Sequence, residues 1–182
     1  MNSPWRNRAI GLVLATAIYA VDRFVKWLVD GPLGLRHERD QIDLLPFFDL
    51  TRTHNFGVSL GMFQATSPEM RWGLVAVLCL IALVVLVWLL RERKLWDIAA
   101  LALILGGALG NIQDRIVDGF VLDYADFHIG GFRPFLIFNV ADACITFGVL
   151  IILARALFMR EKPATAQDEI VADPTAENST NA

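Results

Sequence analysis

Five acidic residues, Asp114, Asp118, Asp123, Asp126 and Asp142, fall within one stretch of the chain, GGALGNIQDRIVDGFVLDYADFHIGGFRPFLIFNVAD from Gly106 to Asp142. Asn111, Asp114 and Arg115 close one apolar segment, and Asn139 and Asp142 open the next. The first three are spaced i, i+3, i+4 and the last two i, i+3, so each set shares one helix face. Charged groups in or beside a membrane-length apolar run are costly, and a functional role is the default reading. Asp142 falls in the first turns of its helix, where the helix dipole favours its charge, and the sequence puts few cations near it. A second carboxylate facing it would couple the two titrations and leave one shared proton over part of the pH range. One ionised and one protonated carboxyl around a water can hydrolyse a peptide bond: one takes the water's proton, the other polarises the scissile carbonyl. Asp114, Asp118, Asp123 and Asp126 are all candidates for the second group. The alternative is a capping or ion-pair network with no chemistry.

Other chemistries lack their residues. His37, His54 and His128 form no HExxH or other metal pattern. No GxSxG elbow occurs. Cys79 and Cys144 show no ligand spacing; each lies in an apolar run and reads as a small buried hydrophobe. The glycines of GGALG sit inside an apolar segment without a phosphate-loop lysine. No metal and no organic cofactor is therefore expected, and no basic stripe interleaved with aromatics points to nucleic acid.

The elements that must position these groups are membrane helices. Of the 182 residues, 55% are hydrophobic, and the mean hydropathy is +0.50. These values place the chain in the membrane class; the net charge of −3 says little. The reading is an all-α membrane protein with four transmembrane helices over about residues 9–29, 72–90, 95–113 and 135–158, since a span needs about 20 mainly apolar residues. Arg6 and Arg8 before the first run mimic a signal peptide, but no small-residue cleavage site closes it. Gly73–Leu90 carries no charge and is the clearest span. Gly106, Gly107 and Gly110 would let neighbouring helices approach closely. Pro134 marks a start for the fourth span. The connections 30–69 and 114–134 are polar, and partial alternation within 41–63 suggests short strands. Residues 1–162 make a single membrane domain, and the acidic, polar tail 163–182 reads as disordered.

Orientation follows from the basic residues. Arg6, Arg8, Arg91, Arg93, Lys94, Arg155, Arg160 and Lys162 would share one side, close to helix ends. The positive-inside rule puts that side, with both termini, in the cytoplasm. Asp22, Lys26, Asn111, Asp114, Arg115, Asn139 and Asp142 then all reach one depth, near the outer leaflet. Asp22 and Lys26 also form an i, i+4 pair, whose plainer reading is a local ion pair with Lys26 snorkelling. The plainer reading of Arg115 is a clamp on Asp114.

At these residues the chain resembles the lipoprotein signal peptidase family, also called signal peptidase II. DRFVK at Asp22, NFGVSLGMF at Asn55, GGALGNIQDR at Gly106, VLDYADF at Asp123 and FNVADACITFG at Phe138 carry the resemblance. It implies a membrane-embedded aspartic protease of the bacterial inner membrane. Such an enzyme cleaves prolipoproteins on the amino side of a diacylglyceryl-modified cysteine and acts next to membrane lipids. In that family the second catalytic aspartate follows the GNxxDR aspartate by nine residues, which here is Asp123, with Asp142 as its partner. The resemblance makes Asn55, Asn111, Asp114, Arg115 and Asn139, with Asp22 and Lys26, the supporting or substrate-binding set. It also implies a small extracytoplasmic β-cradle and leaves Asp118 a bystander. The departures are Arg23 in place of the usual glutamine, Val58, Ser59 and Leu60 in place of small residues, and Val-Leu-Asp-Tyr around Asp123. With an Asp-Phe pair three residues later, Asp126 stays a rival to Asp123. The chain is expected to work as a monomer. A proton-coupled transporter or channel would instead need polar residues through the whole membrane thickness, and an assembly factor would need neither aspartate.

Overall fold

A computed structural model describes residues 4–57 and 67–158. The expectations for Val58, Ser59 and Leu60, for strands beyond residue 57, and for the tail 163–182 lie outside those residues. The element order is α1 (Pro4–Asp30), β1 (Gln41–Leu45), β2 (Phe48–Asn55), α2 (Pro68–Arg91), α3 (Leu95–Val117), β3 (Val121–Phe127) and α4 (Val140–Phe158). Residues up to Ile152 form one compact unit; Leu153–Phe158 are described only as the last turns of α4.

Helix α3 is the axis of the compact unit. It packs against α1 and α2, which touch each other little. Ala15, Leu89, Ile98, Leu101, Ala102, Leu105 and Ile112 are buried between the three. Small residues set the approach. A methyl group on Gly107 would overlap the carbonyl oxygen of Ala141 on α4, and one on Gly110 would press on the carboxylate of Asp22 on α1. The expected close approach of helices along these glycines is therefore present. Gly73 on α2 has open space around it. Gly107→Ala is expected to destabilise the fold by about 1–3 kcal/mol, the usual range for overpacking. Gly73→Ala should leave stability unchanged or slightly raised through helix propensity. Thermal unfolding of the two variants in detergent checks the contrast.

The helix ends follow from local chemistry. Ser67 caps α2, its hydroxyl oxygen accepting from the Met70 N–H at 3.3 Å, with Pro68 in the first turn. At the start of α1, the side chain of Asn7 donates to the carbonyl of Arg93 at 3.1 Å and that of Arg8 to the carbonyl of Glu92 at 3.3 Å. These bonds tie the start of α1 to the α2–α3 turn.

Three helices, α2, α3 and α4, are long and apolar enough to cross a membrane. The four-span expectation is met for these three. Helix α1 has the length, at 27 residues, but Asp22, Arg23 and Lys26 interrupt its apolar run. The fourth helix starts at Val140, not at 135 beside Pro134. Residues before it are extended because Phe138 exchanges backbone hydrogen bonds with Ala125, at 2.7 and 3.2 Å. Cys79 is exposed on α2 and Cys144 on α4 only half-buried, and both are free thiols, so the reading of both as buried is not met; Cys79 lines an open apolar groove with Ala15 of α1 and Leu105 of α3 rather than a closed core.

The strands form one antiparallel sheet of order β1-β2-β3. The strands expected within 41–63 are β1 and β2. The third comes from the second polar connection, 114–134, where the sequence pattern predicts no strand. Its residues Val121 to Asp126 are all buried, so VLDYADF lacks the alternation that signals a one-sided strand. A second apolar cluster, Val29, Leu35, Leu122, Tyr124 and Ala125, fastens the sheet to the end of α1.

Candidate active site

The sheet and the helix ends meet around two aspartates. Asp123 lies in β3 opposite Thr53 of β2 and is 2% exposed. One carboxylate oxygen accepts from the Asn55 amide at 3.1 Å and the other from the Asn139 amide at 2.7 Å. Asp142, half-buried, sits in the first turn of α4. Its carboxylate accepts from the Asn111 amide at 2.7 Å, and its own N–H donates to the Asn139 side-chain oxygen at 2.9 Å. Asn139 is thus the cap of α4 and a partner of Asp123 at once. Its amide also donates to the Asn111 side-chain oxygen at 3.2 Å. A continuous path of hydrogen bonds therefore runs Asp123–Asn139–Asn111–Asp142.

Both asparagines can point only one way. In Asn139 the oxygen faces an N–H and the nitrogen faces a carboxylate; reversing the amide would set oxygen against oxygen. Asn111 is held likewise between an ammonium and a carboxylate, since its oxygen accepts from Lys26 Nζ at 3.3 Å.

Behind this path lies a buried charge cluster. Lys26 is 2% exposed and contacts Asp22 at 2.8 Å and Asp114 at 2.6 Å. The pair with Asp22 therefore exists, but Lys26 does not snorkel: it turns inward across to α3. Asp114 is paired with Arg23 and Lys26, so the expected Arg115 clamp on Asp114 is replaced. Arg115 instead donates to the backbone oxygens of Asn111 at 3.1 Å and Gly57 at 2.6 Å. It pins the end of β2 against α3. Its charge also acts on Asp142 and Asp123, so cations are nearer the pair than the sequence suggested. Arg23, which in sequence is only a departure from the family motif, is a partner of Asp114 across helices α1 and α3.

Asp126 faces other partners. It accepts from Thr51 at 3.1 Å and from Arg133 at 2.9 Å, which occupy both of its oxygens. Asp118 caps the end of α3 and is exposed. Among the described residues no cluster of His, Cys, Asp and Glu has the form of a metal site.

The environment of Asp123 is that of a proton-holding group. Burial first, and then the neighbouring charge of Asp142, push its pKa up to about 7; the amide hydrogen bonds and Lys26 oppose the rise. At neutral pH such a carboxyl exchanges a proton readily, as acid/base chemistry requires.

The sequence model of the Signal peptidase (SPase) II family matches residues 14–158. The chain belongs to the signal peptidase II family. Among signal peptidase II relatives, a lipoprotein signal peptidase of Sphingopyxis alaskensis is 53% identical over 156 residues, covering 86% of this chain and 90% of its own length. One of Rhizorhabdus wittichii is 47% identical over 162 residues, with 89% and 94% covered. A solved structure described as a bacterial membrane enzyme superposes with a TM-score of 0.71 at 24% identity, over 86% of this chain and 95% of that one; it shares the fold. Membership makes this chain a peptidase, and its apolar helices agree with a family of membrane-embedded enzymes.

Proposed function

We propose that this signal peptidase II is an intramembrane aspartic endopeptidase. It removes signal peptides from bacterial prolipoproteins on the amino side of the diacylglyceryl-modified cysteine. The observation that carries the reading is the hydrogen-bonded path joining Asp123 to Asp142 through Asn139 and Asn111. The two carboxyls hold one proton between them. The ionised one takes a proton from water, the oxygen attacks the scissile carbonyl, and the protonated one gives its proton to the carbonyl oxygen. Collapse of the tetrahedral intermediate breaks the C–N bond, and the amine leaves with a proton returned from the dyad. Asn55, Asn111 and Asn139 orient the carboxylates, while Asp22, Lys26, Asp114 and Arg115 support them.

We read α1 as the fourth span of a single membrane domain, residues 1–162. Trp5 and Trp27 are both exposed near its two ends, about 33 Å apart at ~1.5 Å per residue. That separation matches a hydrocarbon core of about 30 Å, and aromatic rings favour both interfaces. Trp88 and Trp96, also exposed, lie at the end where α1 begins, and Trp72 at the other. The termini are cytoplasmic in this reading and the dyad lies at the outer leaflet of the inner membrane. Substrate enters from the side with its lipid chains still in the bilayer. One chain supplies every residue named, so the enzyme works as a monomer. The polar groups cluster at one end of the helices, and α2 carries no charge between Arg71 and Arg91, which a transmembrane proton path would require.

The test is turnover of a diacylglyceryl-modified prolipoprotein peptide by purified Asp123→Asn, Asp142→Asn and Asp126→Asn. The reading requires loss in the first two and retention in the third. Full activity of Asp123→Asn with loss in Asp126→Asn would move the assignment.

A further inference from the structure

The start of α1 and the α2–α3 turn, at the far end of the helices from the dyad, carry a constellation that the peptidase reaction does not use. The bonds of Asn7 and Arg8 to the turn gather five cations, Arg6, Arg8, Arg91, Arg93 and Lys94, against two carboxylates, Glu92 and Asp97. Glu92 faces its own turn, where its carboxylate accepts from the N–H groups of Arg93 at 2.7 Å and Lys94 at 3.0 Å. Arg8 reaches from α1 to the end of α2. Its Nε donates to the carbonyl of Glu92 at 3.3 Å and one Nη to that of Arg91 at 3.5 Å, with the guanidinium 5.3 Å from the ring centre of exposed Trp5. A guanidinium has further N–H donors beyond the two that these bonds use.

An apolar groove leads away from Arg8 between α1 and α2. Leu12 and Thr16 of α1, Cys79 and Leu86 of α2, and Leu105 and Leu109 of α3 line it. It exists because α1 and α2 both pack on α3 but touch each other little. Past Leu109 it continues to Tyr19, whose hydroxyl donates to the side chain of Gln113. Arg8, Leu12, Thr16 and Tyr19 recur every three or four residues, so the cation and the apolar wall share one face of α1. From Arg8 to Tyr19 the helix rises ~16 Å at ~1.5 Å per residue. That is the depth of one leaflet's hydrocarbon, half of about 30 Å. Trp88 and Trp96, exposed beside the cations, mark the level of the headgroups.

We propose that this cleft binds an anionic phospholipid of the leaflet opposite the dyad, its phosphate on Arg8 with Arg91 beside it and one acyl chain in the groove between α1 and α2. The inference rests on the reading of α1 as a span beside α2 and α3. Charge complementarity selects the headgroup. The planar fork of arginine fits a phosphate with two parallel hydrogen bonds, and each basic residue at the surface raises affinity for anionic lipid by about 5-fold. The groove selects the chain, because its walls are apolar and it opens directly from the cations. A second copy of the protein fits less well, since it would bring the same five cations against these. An occupied site joins α1 to α2 where protein contact is scarce, so the lipid stabilises the fold by mass action.

The experiment is native mass spectrometry of the full chain, stripped of lipid in detergent. It is titrated with phosphatidylglycerol, with phosphatidylcholine of the same chains, and with glycerophosphoglycerol, which has the headgroup and no chains. Phosphatidylglycerol should bind about 10-fold or more tighter than phosphatidylcholine, and glycerophosphoglycerol should not bind. Arg8→Gln joined to Arg91→Gln should weaken phosphatidylglycerol binding by about 25-fold. Cys79→Phe, at an exposed position on the groove, should weaken it by about 10-fold or more with every cation in place. Arg36→Gln, an exposed cation beyond the other end of α1, should bind as wild type. Saturating phosphatidylglycerol should raise the Tm of the wild type by about 5 °C or more and leave that of Cys79→Phe nearly unchanged. Each shift is read against the variant's own lipid-free Tm, which separates lost binding from a weakened fold. Equal affinity for the two lipids, binding of glycerophosphoglycerol as tight as that of the lipid, or full binding by Cys79→Phe would each overturn the proposal. Dimers in detergent that Cys79→Phe disperses would assign the groove to a second copy and overturn it too. The span is tested apart from the lipid. With Cys79 and Cys144 replaced by alanine, Trp5→Cys and Arg36→Cys should react with an impermeant thiol reagent from opposite faces of sealed vesicles. Reaction from one face alone would overturn the reading of α1 as a span, so the two failures are separate.

Discussion

Asp123→Asn and Asp142→Asn are each expected to lower kcat by about 10³-fold or more while leaving a folded protein. Acid/base catalysis by a placed carboxyl contributes 10²–10⁴-fold, and here each carboxyl has a part in both halves of the reaction. Asn keeps the size of Asp but holds no exchangeable proton at catalytic pH. At position 123 it also sets one of its own N–H groups against an amide donor, because Asp123 accepts from both Asn55 and Asn139. That loses a hydrogen bond worth about 1–3 kcal/mol. Removing a buried charge beside Asp142 works the other way, so Tm should stay within about 4 °C, a shift equivalent to roughly 1–2 kcal/mol in a chain of this size. Loss of turnover without loss of Tm separates a catalytic role from a structural one.

The pH profile follows from the same environment. Asp123 ionises near 7 in the presence of the charge on Asp142, which makes that value the loss of the second proton of the pair. Below it the pair holds one proton and is active; above it both carboxyls are charged and the acid is gone. Activity should therefore fall as pH rises through about 7, and fall again at low pH where the pair takes up a second proton. Steady-state rates on a substrate without titrating groups check both limbs. A rate that climbs steadily from pH 6 to 9 would contradict a shared proton.

The parts of the fold that could be read from the chain are those whose signal is local. The charge-free run of α2 and the Lys94–Leu95 start of α3 needed only composition. The Asn139–Asp142 spacing placed both residues on one helix face, and the structure adds that Asn139 is its cap. What could not be read depends on partners far away in sequence. Lys26 looks like one half of a surface pair with Asp22, because its second carboxylate, Asp114, is most of a hundred residues further on. Strand β3 hides because it is covered on both faces and its other edge is taken by Phe138. The same pairing delays α4 past Pro134. Asp126 sits three residues from Asp123, hence on the opposite face of an extended strand; only the register of β2 and the position of Arg133 show that its oxygens are already taken.

Asn139→Ala should combine two losses that are usually found at different residues. The first is thermodynamic. Its side-chain oxygen caps α4 through the Asp142 N–H, and losing a cap costs about 1 kcal/mol. Its nitrogen donates to a buried carboxylate, a bond worth about 1.5–3 kcal/mol. A fall in Tm of several degrees is expected. The second is kinetic. Without Asn139 the path between Asp123 and Asp142 is cut, and Asp123 keeps only Asn55, so kcat should fall by about 100-fold in the folded fraction. Asn139→Asp separates the two effects. Aspartate caps a helix as well as asparagine does, and much of the cap stability returns. It has no donor for Asp123 and brings a third acid to the pair, so activity stays lost. If Asn139→Asp recovered both Tm and turnover, the residue would be a cap and nothing more, and the hydrogen-bonded path between the aspartates would play no part in the reaction.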